Sequence, residues 1–127
     1  MRTDKQLPLI GVVGPCTAGK STLVNNLKEH GIQIRHIAQE HSYVAYMWQR
    51  ITNPDVLIFL DVSFEISLKR KNLNWNRDEY AEQQHRLRHA REHADFYLMT
   101  DPFDGKEVMQ KVLEFLQQHF PLLTPPQ

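Results

Sequence analysis

The sequence lacks a second cysteine, an excess of charge of one sign and a long apolar run. Cys16 is the single cysteine among 127 residues, so we expect no internal disulfide, no cysteine-based zinc site and a reducing compartment. Fifteen Lys plus Arg balance fifteen Asp plus Glu, so bulk charge gives no reason to expect nucleic acid or a membrane surface as a partner. An anionic ligand must therefore be bound by local features of the chain.

The amino-terminal apolar run is too short to span a membrane. The stretch MRTDKQLPLIGVV leads directly into a predicted core strand, so we expect no signal peptide and a cytoplasmic location. Prolines and glycines are not concentrated in a linker, and the sequence has no internal repeat or break in composition. We therefore predict one domain spanning residues 1–127, which is long enough to bury a core without disulfides.

Apolar runs alternate with amphipathic segments along the chain. The predicted strands are residues 7–14, 32–39, 55–63 and 94–100. The predicted helices are residues 20–31, 42–53, 64–73, 77–94 and 104–120, and residues 121–127 are predicted to be a loose tail. This alternation predicts an α/β fold of three layers, in which about four parallel strands carry helices on both faces.

Four polar or glycine residues follow the predicted strands: Gly14, Glu40, Asp61 and Thr100. Ligands of open parallel sheets bind outside the carboxyl ends of the strands. We therefore expect these four residues to meet at one edge of the sheet and to mark the functional site.

Residues 14–21 match the phosphate-binding pattern G-x-x-x-x-G-K-[ST] in full, between a predicted strand and a predicted helix. The glycines allow successive backbone N–H groups to point at a phosphate, and the helix N-terminus adds a favourable dipole. Lys20 is predicted to bridge the β- and γ-phosphates, and the Ser21 hydroxyl to bind Mg²⁺. The alternative is a chance match in an ordinary glycine-containing turn. The predicted nucleotide-binding residues of this loop are Gly14, Pro15, Cys16, Thr17, Ala18, Gly19, Lys20, Ser21 and Thr22.

Two blocks of sequence, LIGVVGPCTAGKSTLVNNL and PDVLIFLDVSFEISLKRK, followed by YLMTD, are similar to the P-loop kinases of nucleosides and nucleotides, the deoxynucleoside and thymidylate kinase group. The resemblance implies a P-loop NTPase fold, ATP and Mg²⁺ as cofactors, and phosphoryl transfer to a small-molecule acceptor. One departure concerns the acceptor region, because only about fifteen residues separate Gln39 from Asp55, where kinases of this group usually carry another strand and a helical region.

Two acidic residues are candidates for the chemistry. By resemblance, Glu40 is the base near the acceptor hydroxyl, and its alternative is a solvated loop carboxylate. Asp61 ends the strand VLIFLD and fits a Walker B acid that holds Mg²⁺ through water, although in this family the acid of that strand more often caps a helix. Glu40 and Asp61 therefore compete for the metal.

The resemblance also implies positions for arginines and for an adenine-reading loop. Arg70 is expected to lie against the adenine face, for which a guanidinium is suited, and its alternative is a solvated helix end. The place of a second lid arginine is Asn74 here, so Arg77 is the nearest substitute. Thr100 and Asp101 lie in TDPFDG, which resembles the loop that reads the adenine edge.

Three imidazoles, those of His85, His89 and His93, recur at i, i+4 and i+8 on the predicted helix 77–94. Such spacing permits a shared metal ion, but neighbouring arginines disfavour a cation. The alternative is a basic helix that is solvated or closes over the nucleotide as a lid.

The predicted helix after Glu40 carries a largely aromatic cluster of Tyr43, Tyr46, Met47 and Trp48. These side chains are either core or a stack for the acceptor base. Because so little other acceptor-binding structure is present, a second copy of the chain could complete the pocket.

Three functions remain open at this point: a small kinase, a nucleotide-binding regulatory module with slow or no turnover that acts through a partner or oligomer, and a GTPase switch. The last is disfavoured because the sequence has no N-K-x-D motif.

Overall fold

The computed structural model describes residues 8–70 and 74–119. The strands are β1 Ile10–Val13, β2 Ile34–His36, β3 Val56–Asp61 and β4 Phe96–Met99. The helices are α1 Lys20–Lys28, α2 Met47–Ile51, α3 Phe64–Arg70, α4 Arg77–Arg86, α5 Arg88–His93 and α6 Gly105–His119, with a 3₁₀ turn at Gln39–His41.

The four strands form one all-parallel sheet in the order β2-β1-β3-β4. Ile10 of β1 lies opposite Ile34 on one side and Val56 on the other, and Ile58 of β3 lies opposite Phe96 of β4. Because the strands are parallel, their carboxyl ends meet at one edge. The predicted α/β fold with about four parallel strands is confirmed.

Helices cover both faces of the sheet. On one face, Ile58 and Leu60 of β3 belong to a core cluster with residues of α1 and α6. On the other face, Phe59 packs in a second cluster with Trp48 and Leu87. Full burial of each such apolar side chain contributes about 1.5–3 kcal/mol relative to exposure. The predicted three layers are therefore present, and the central strand β3 is buried on both sides.

The predicted helix 77–94 is two helices. It is interrupted at Leu87, whose φ and ψ of −96° and 1° lie outside the helical range. The Leu87 side chain is fully buried in the cluster of Phe59. We attribute the break to this packing, because the segment has few apolar residues and the break lets Leu87 reach the core.

Other boundaries also differ from the predictions. The second strand spans only Ile34–His36, and the helix expected from residue 42 begins at Met47. The predicted helices 64–73 and 104–120 are described as far as Arg70 and His119. Residues 71–73 and 120 of these predicted helices and the predicted tail lie outside the described residues, as do residues 1–7. Within residues 8–70 and 74–119, no helix combines the length and the apolar character needed to cross a membrane.

Candidate functional site

The loop between β1 and α1 requires glycine at both ends of the matched pattern. Gly14 has φ +153°, and a Cβ there would lie 1.9 Å from the Leu60 carbonyl oxygen of β3. Gly19 has φ +99° at the start of α1, a left-handed conformation that favours glycine. These two positions allow the chain to leave the sheet tightly and to turn into the helix.

The Lys20 ammonium is buried beneath this loop, with 6% of the residue exposed. Its Nζ donates hydrogen bonds to the carbonyl oxygens of Gly14 and Pro15, the latter at 3.1 Å. A third bond joins it to Glu40 Oε2 at 2.9 Å. The predicted lysine of the loop and the predicted base are therefore in direct contact.

Glu40 lies in the 3₁₀ turn after β2, and only 3% of it is exposed. Its Oε2 accepts from Lys20 and lies 3.6 Å from His41 Nε2. Its Oε1 is buried and has no hydrogen-bond partner in the described part of the chain. An unpaired buried carboxylate oxygen is unfavourable, so this atom is ready to accept a proton donor or an ion.

The loop forms the floor of a cavity of about 540 Å³, a size typical of small-ligand sites. Glu40, Arg70 and Thr100 contribute to its walls, and the first residues of α6 close the far side. The predicted site residues that line it are Cys16, Thr17, Ala18, Gly19, Lys20, Ser21, Thr22, Glu40, Arg70 and Thr100.

Arg70 connects three elements at this cavity. Its Nη1 donates to the Thr17 carbonyl oxygen at 3.0 Å and to Thr100 Oγ1 at 2.8 Å, and its Nη2 donates to the Thr100 carbonyl oxygen. Thr100 is nearly fully buried, and its hydroxyl can donate to Asp61 O or to Ala18 O. The end of α3 is thus tied to the loop and to the end of β4.

Asp61 turns away from the cavity. Its carboxylate accepts from Tyr97 Oη at 2.6 Å, from Gln84 Nε2 at 3.0 Å and from the Val62 amide at 2.9 Å. Burial and then the bond to Asp61 raise the pKa of Tyr97, which keeps that phenol protonated as the donor. Of the two acids predicted to compete for the metal, the structure places Glu40 in the cavity and Asp61 outside it.

Four other predicted site residues are also absent from the cavity lining: Gly14 and Pro15, whose carbonyl oxygens accept from Lys20, and Arg77 and Asp101. Arg77 is exposed and its Nη2 is 2.8 Å from Glu65 Oε2, with the guanidinium 4.7 Å from the centre of the Phe64 ring. Asp101 accepts from the Ser63 amide at 2.9 Å, at the start of α3. Their predicted roles in clamping phosphate and reading adenine are not favoured by these positions.

Two residues at or beside the loop, Gln83 and His36, were not predicted from the sequence. Gln83 of α4 accepts from the Cys16 amide at 3.0 Å and donates to Cys16 Sγ at 3.1 Å, and so braces the loop from 67 residues away. His36 is exposed overall but lines the cavity, and partial desolvation of its ring, followed by the nearby Lys20 ammonium, lowers its pKa. Only the position of His36 at the end of a strand could have indicated it.

The histidine face of the predicted helix is divided between α4 and α5. His89 and His93 stack with ring centres 4.1 Å apart, and His89 Nδ1 accepts from Trp48 Nε1 at 3.1 Å. Trp48 is buried, in agreement with the core alternative, whereas 84% of Tyr43 is exposed, beneath the Arg86 guanidinium. These rings therefore hold α5 against the segment that follows Glu40.

Comparison with known proteins gives no family assignment. No protein-family model matches the chain, and no curated protein matches it. Function must therefore be inferred from the geometry and chemistry of the site itself.

Proposed function

We propose that the protein is an ATP- and Mg²⁺-dependent phosphotransferase, a small kinase that transfers the γ-phosphoryl group to a nucleoside or nucleotide. The observation that carries the proposal is the contact between the buried Lys20 ammonium and the Glu40 carboxylate, 2.9 Å apart in a cavity floored by the glycine-rich loop. This contact brings a phosphate-binding cation and a candidate base to one point.

The triphosphate binds along the loop between β1 and α1. Backbone N–H groups of the loop and the N-terminal end of the nine-residue α1 favour negative charge there. Lys20 neutralises charge that develops on the transferred group, which requires it to exchange part of its present bonding for phosphate oxygens. Arg70 closes the side of the cavity on which the nucleotide base is expected.

The metal-binding part of the proposal is supported by Ser21. This residue is exposed at the start of α1 and lines the cavity, and its hydroxyl is of the oxygen type that Mg²⁺ prefers. When bound, Mg²⁺ supplies charge neutralisation between the β- and γ-phosphates. Of the two acids predicted to compete for the metal, only Glu40 lines this cavity.

Glu40 orients or deprotonates the acceptor. Its Oε1 has no partner in the described residues, so an acceptor hydroxyl can donate to it without displacing another bond. Nucleotide phosphates draw Lys20 away from Oε2, which frees that oxygen as a second acceptor. The structure thus supports Glu40 in this role better than as a solvated loop carboxylate.

A coupled ADP-release screen over nucleosides, nucleotides and sugars tests the proposal. We expect one acceptor class to stimulate ADP release, with turnover lost in Lys20→Ala and reduced about 10²–10⁴-fold in Glu40→Gln. Lys28→Ala, at the exposed carboxyl end of α1, is the matched control and should retain turnover. Absence of ADP above the Lys20→Ala level for every acceptor would refute the kinase.

A second candidate is a nucleotide-binding module with slow or no turnover that acts through a partner or a second copy. It is favoured by the pairing of Arg77 with Glu65 outside the cavity and by the short segment between β2 and β3, which contains only a 3₁₀ turn and the five-residue α2. Measurable ATP binding without acceptor-stimulated turnover would select it.

The cytoplasmic location also stays a prediction.

The GTPase alternative is tested by competition. Because the sequence has no N-K-x-D motif that would read guanine, we expect ATP to displace a labelled nucleotide analogue at lower concentration than GTP. A preference for GTP would revive the switch.

A further inference from the structure

We propose that Cys16, Glu40 and His41 form a site for Zn²⁺. The thiol sulfur, a carboxylate oxygen and an imidazole nitrogen of these residues lie within 4.8 Å of one another. The site shares Glu40 and the neighbourhood of the loop with the nucleotide site proposed above, but it takes a different class of ion, and only one of its three protein ligands is a cysteine. Its existence does not depend on kinase activity.

Two structural elements bring the three ligands together. Cys16 belongs to the loop after β1, where Gln83 holds both its amide and its sulfur. Glu40 and His41 are neighbours in the 3₁₀ turn after β2. Since β1 and β2 are adjacent parallel strands, their carboxyl ends place the loop beside the turn.

The unpartnered oxygen of Glu40 is an independent indication of a ligand. Glu40 is 97% buried by residue, its Oε2 is bonded to Lys20, and its Oε1 has no hydrogen-bond partner within the described ranges. An ion bound to Oε1 would satisfy this oxygen without breaking the bond to Lys20. His41, whose side chain is 60% exposed, can rotate to complete the site.

The ligand types select the ion. A thiolate, an imidazole and a carboxylate suit Zn²⁺ or its spectroscopic substitute Co²⁺, whereas Mg²⁺ prefers hard oxygen ligands. Three protein ligands leave a fourth tetrahedral position for water, as in open zinc sites. The Lys20 ammonium opposes a cation here, and loss of the thiol proton on binding offsets part of that repulsion.

Zinc at this position has a consequence for the loop. It would join Cys16 of the loop to the turn that carries Glu40, and would occupy the oxygen that the proposed acceptor needs. If the kinase proposal holds, Zn²⁺ lowers turnover even in the presence of excess Mg²⁺. This consequence rests on the proposed function, while metal binding itself does not.

Co²⁺ titration of the reduced protein without nucleotide tests the site. We expect one equivalent to bind with a thiolate-to-cobalt charge-transfer band, and Zn²⁺ to displace it. Cys16→Ser should abolish the band and weaken binding about tenfold or more, and His41→Gln should weaken binding similarly while the band persists. His30→Gln, at the exposed end of α1, is the histidine control and should bind as the wild type does.

Circular dichroism of each variant confirms that the fold is retained. Absence of the thiolate band in the wild type, unchanged affinity in Cys16→Ser, or an equal loss in His30→Gln would overturn the site. Because no nucleotide or acceptor is present, failure here leaves the kinase proposal standing, and failure of the kinase screen leaves the metal result standing.

Discussion

At the scale of single residues, the site depends on contacts between side chains far apart in the sequence. The sequence singled out Lys20 and Glu40 separately, the first from its motif and the second from a resemblance. Their ion pair could not be predicted, because it requires β2 to lie directly beside β1. A buried ion pair is weak evidence for stability, since desolvation offsets the attraction.

The close packing at Gly14 gives a stability prediction. Gly14→Ala places a Cβ 1.9 Å from Leu60 O, so the loop must move away from β3. We expect the free energy of unfolding to fall by at least about 2 kcal/mol in urea titrations. Gly31→Ala is the matched control, since Gly31 also has positive φ but meets no atom within 4 Å, and should lose only about 1 kcal/mol. Equal losses would show that contact with Leu60 is unimportant.

The lowered pKa of His36 gives a pH prediction. Partial desolvation of the ring and then the Lys20 ammonium hold the folded-state pKa below the ordinary value of 6.5. The unfolded chain therefore binds more protons as pH falls below 6.5, and the free energy of unfolding declines in that range. Urea titrations between about pH 7.5 and pH 5.5 should show a shallower decline in His36→Gln than in the wild type. Identical slopes would exclude this contribution.

At the scale of elements, a single buried side chain sets the shape of the segment that carries Glu40. Gln39 Nε2 donates to the carbonyl oxygens of Val44 and Arg86, and its Oε1 accepts from the Trp48 amide. The Val44 carbonyl lies in the non-helical stretch before α2 and the Trp48 amide lies in the first turn of α2, so Gln39 takes the place of helical bonding where the apolar spacing predicted an earlier helix start. The spacing of apolar residues predicts which face of a helix is buried. It does not predict that a polar side chain such as Gln39 will hydrogen-bond the backbone groups that a helix would otherwise pair.

Loss of these bonds should loosen the turn. Gln39→Leu keeps similar bulk but removes the acceptor of the buried Trp48 amide and one donor from each of two partly buried carbonyls, so we expect the free energy of unfolding to fall by about 1–3 kcal/mol. Gln49→Leu, on an exposed position of α2, should change it by less than about 0.5 kcal/mol. Urea titration of both variants provides the comparison, and a Gln39→Leu protein as stable as the wild type would contradict this account of the turn.

At the scale of the whole molecule, the alternation of strands and helices along the chain and the parallel sheet were predictable, because apolar runs and amphipathic segments alternate clearly. The edge at which Glu40 and Thr100 emerge followed from strand direction alone. The contacts of Asp61 with Tyr97 and of Arg77 with Glu65 were not predictable, since they depend on how α3, α4 and β4 pack. The residues that line the cavity were therefore predicted better from the sequence than the positions of Asp61 and Arg77, which lie outside it.

The central claim is that the glycine-rich loop and Lys20 bind a nucleoside triphosphate. The most direct measurement is calorimetry of ATP with Mg²⁺ against the wild type, Lys20→Ala and Lys28→Ala. We predict binding to the wild type, affinity lower by about tenfold or more in Lys20→Ala, since hydrogen bonds to charged groups contribute about 1.5–3 kcal/mol, and unchanged affinity in Lys28→Ala. Absence of ATP binding to the wild type, or equal affinity in a folded Lys20→Ala protein, would contradict the claim.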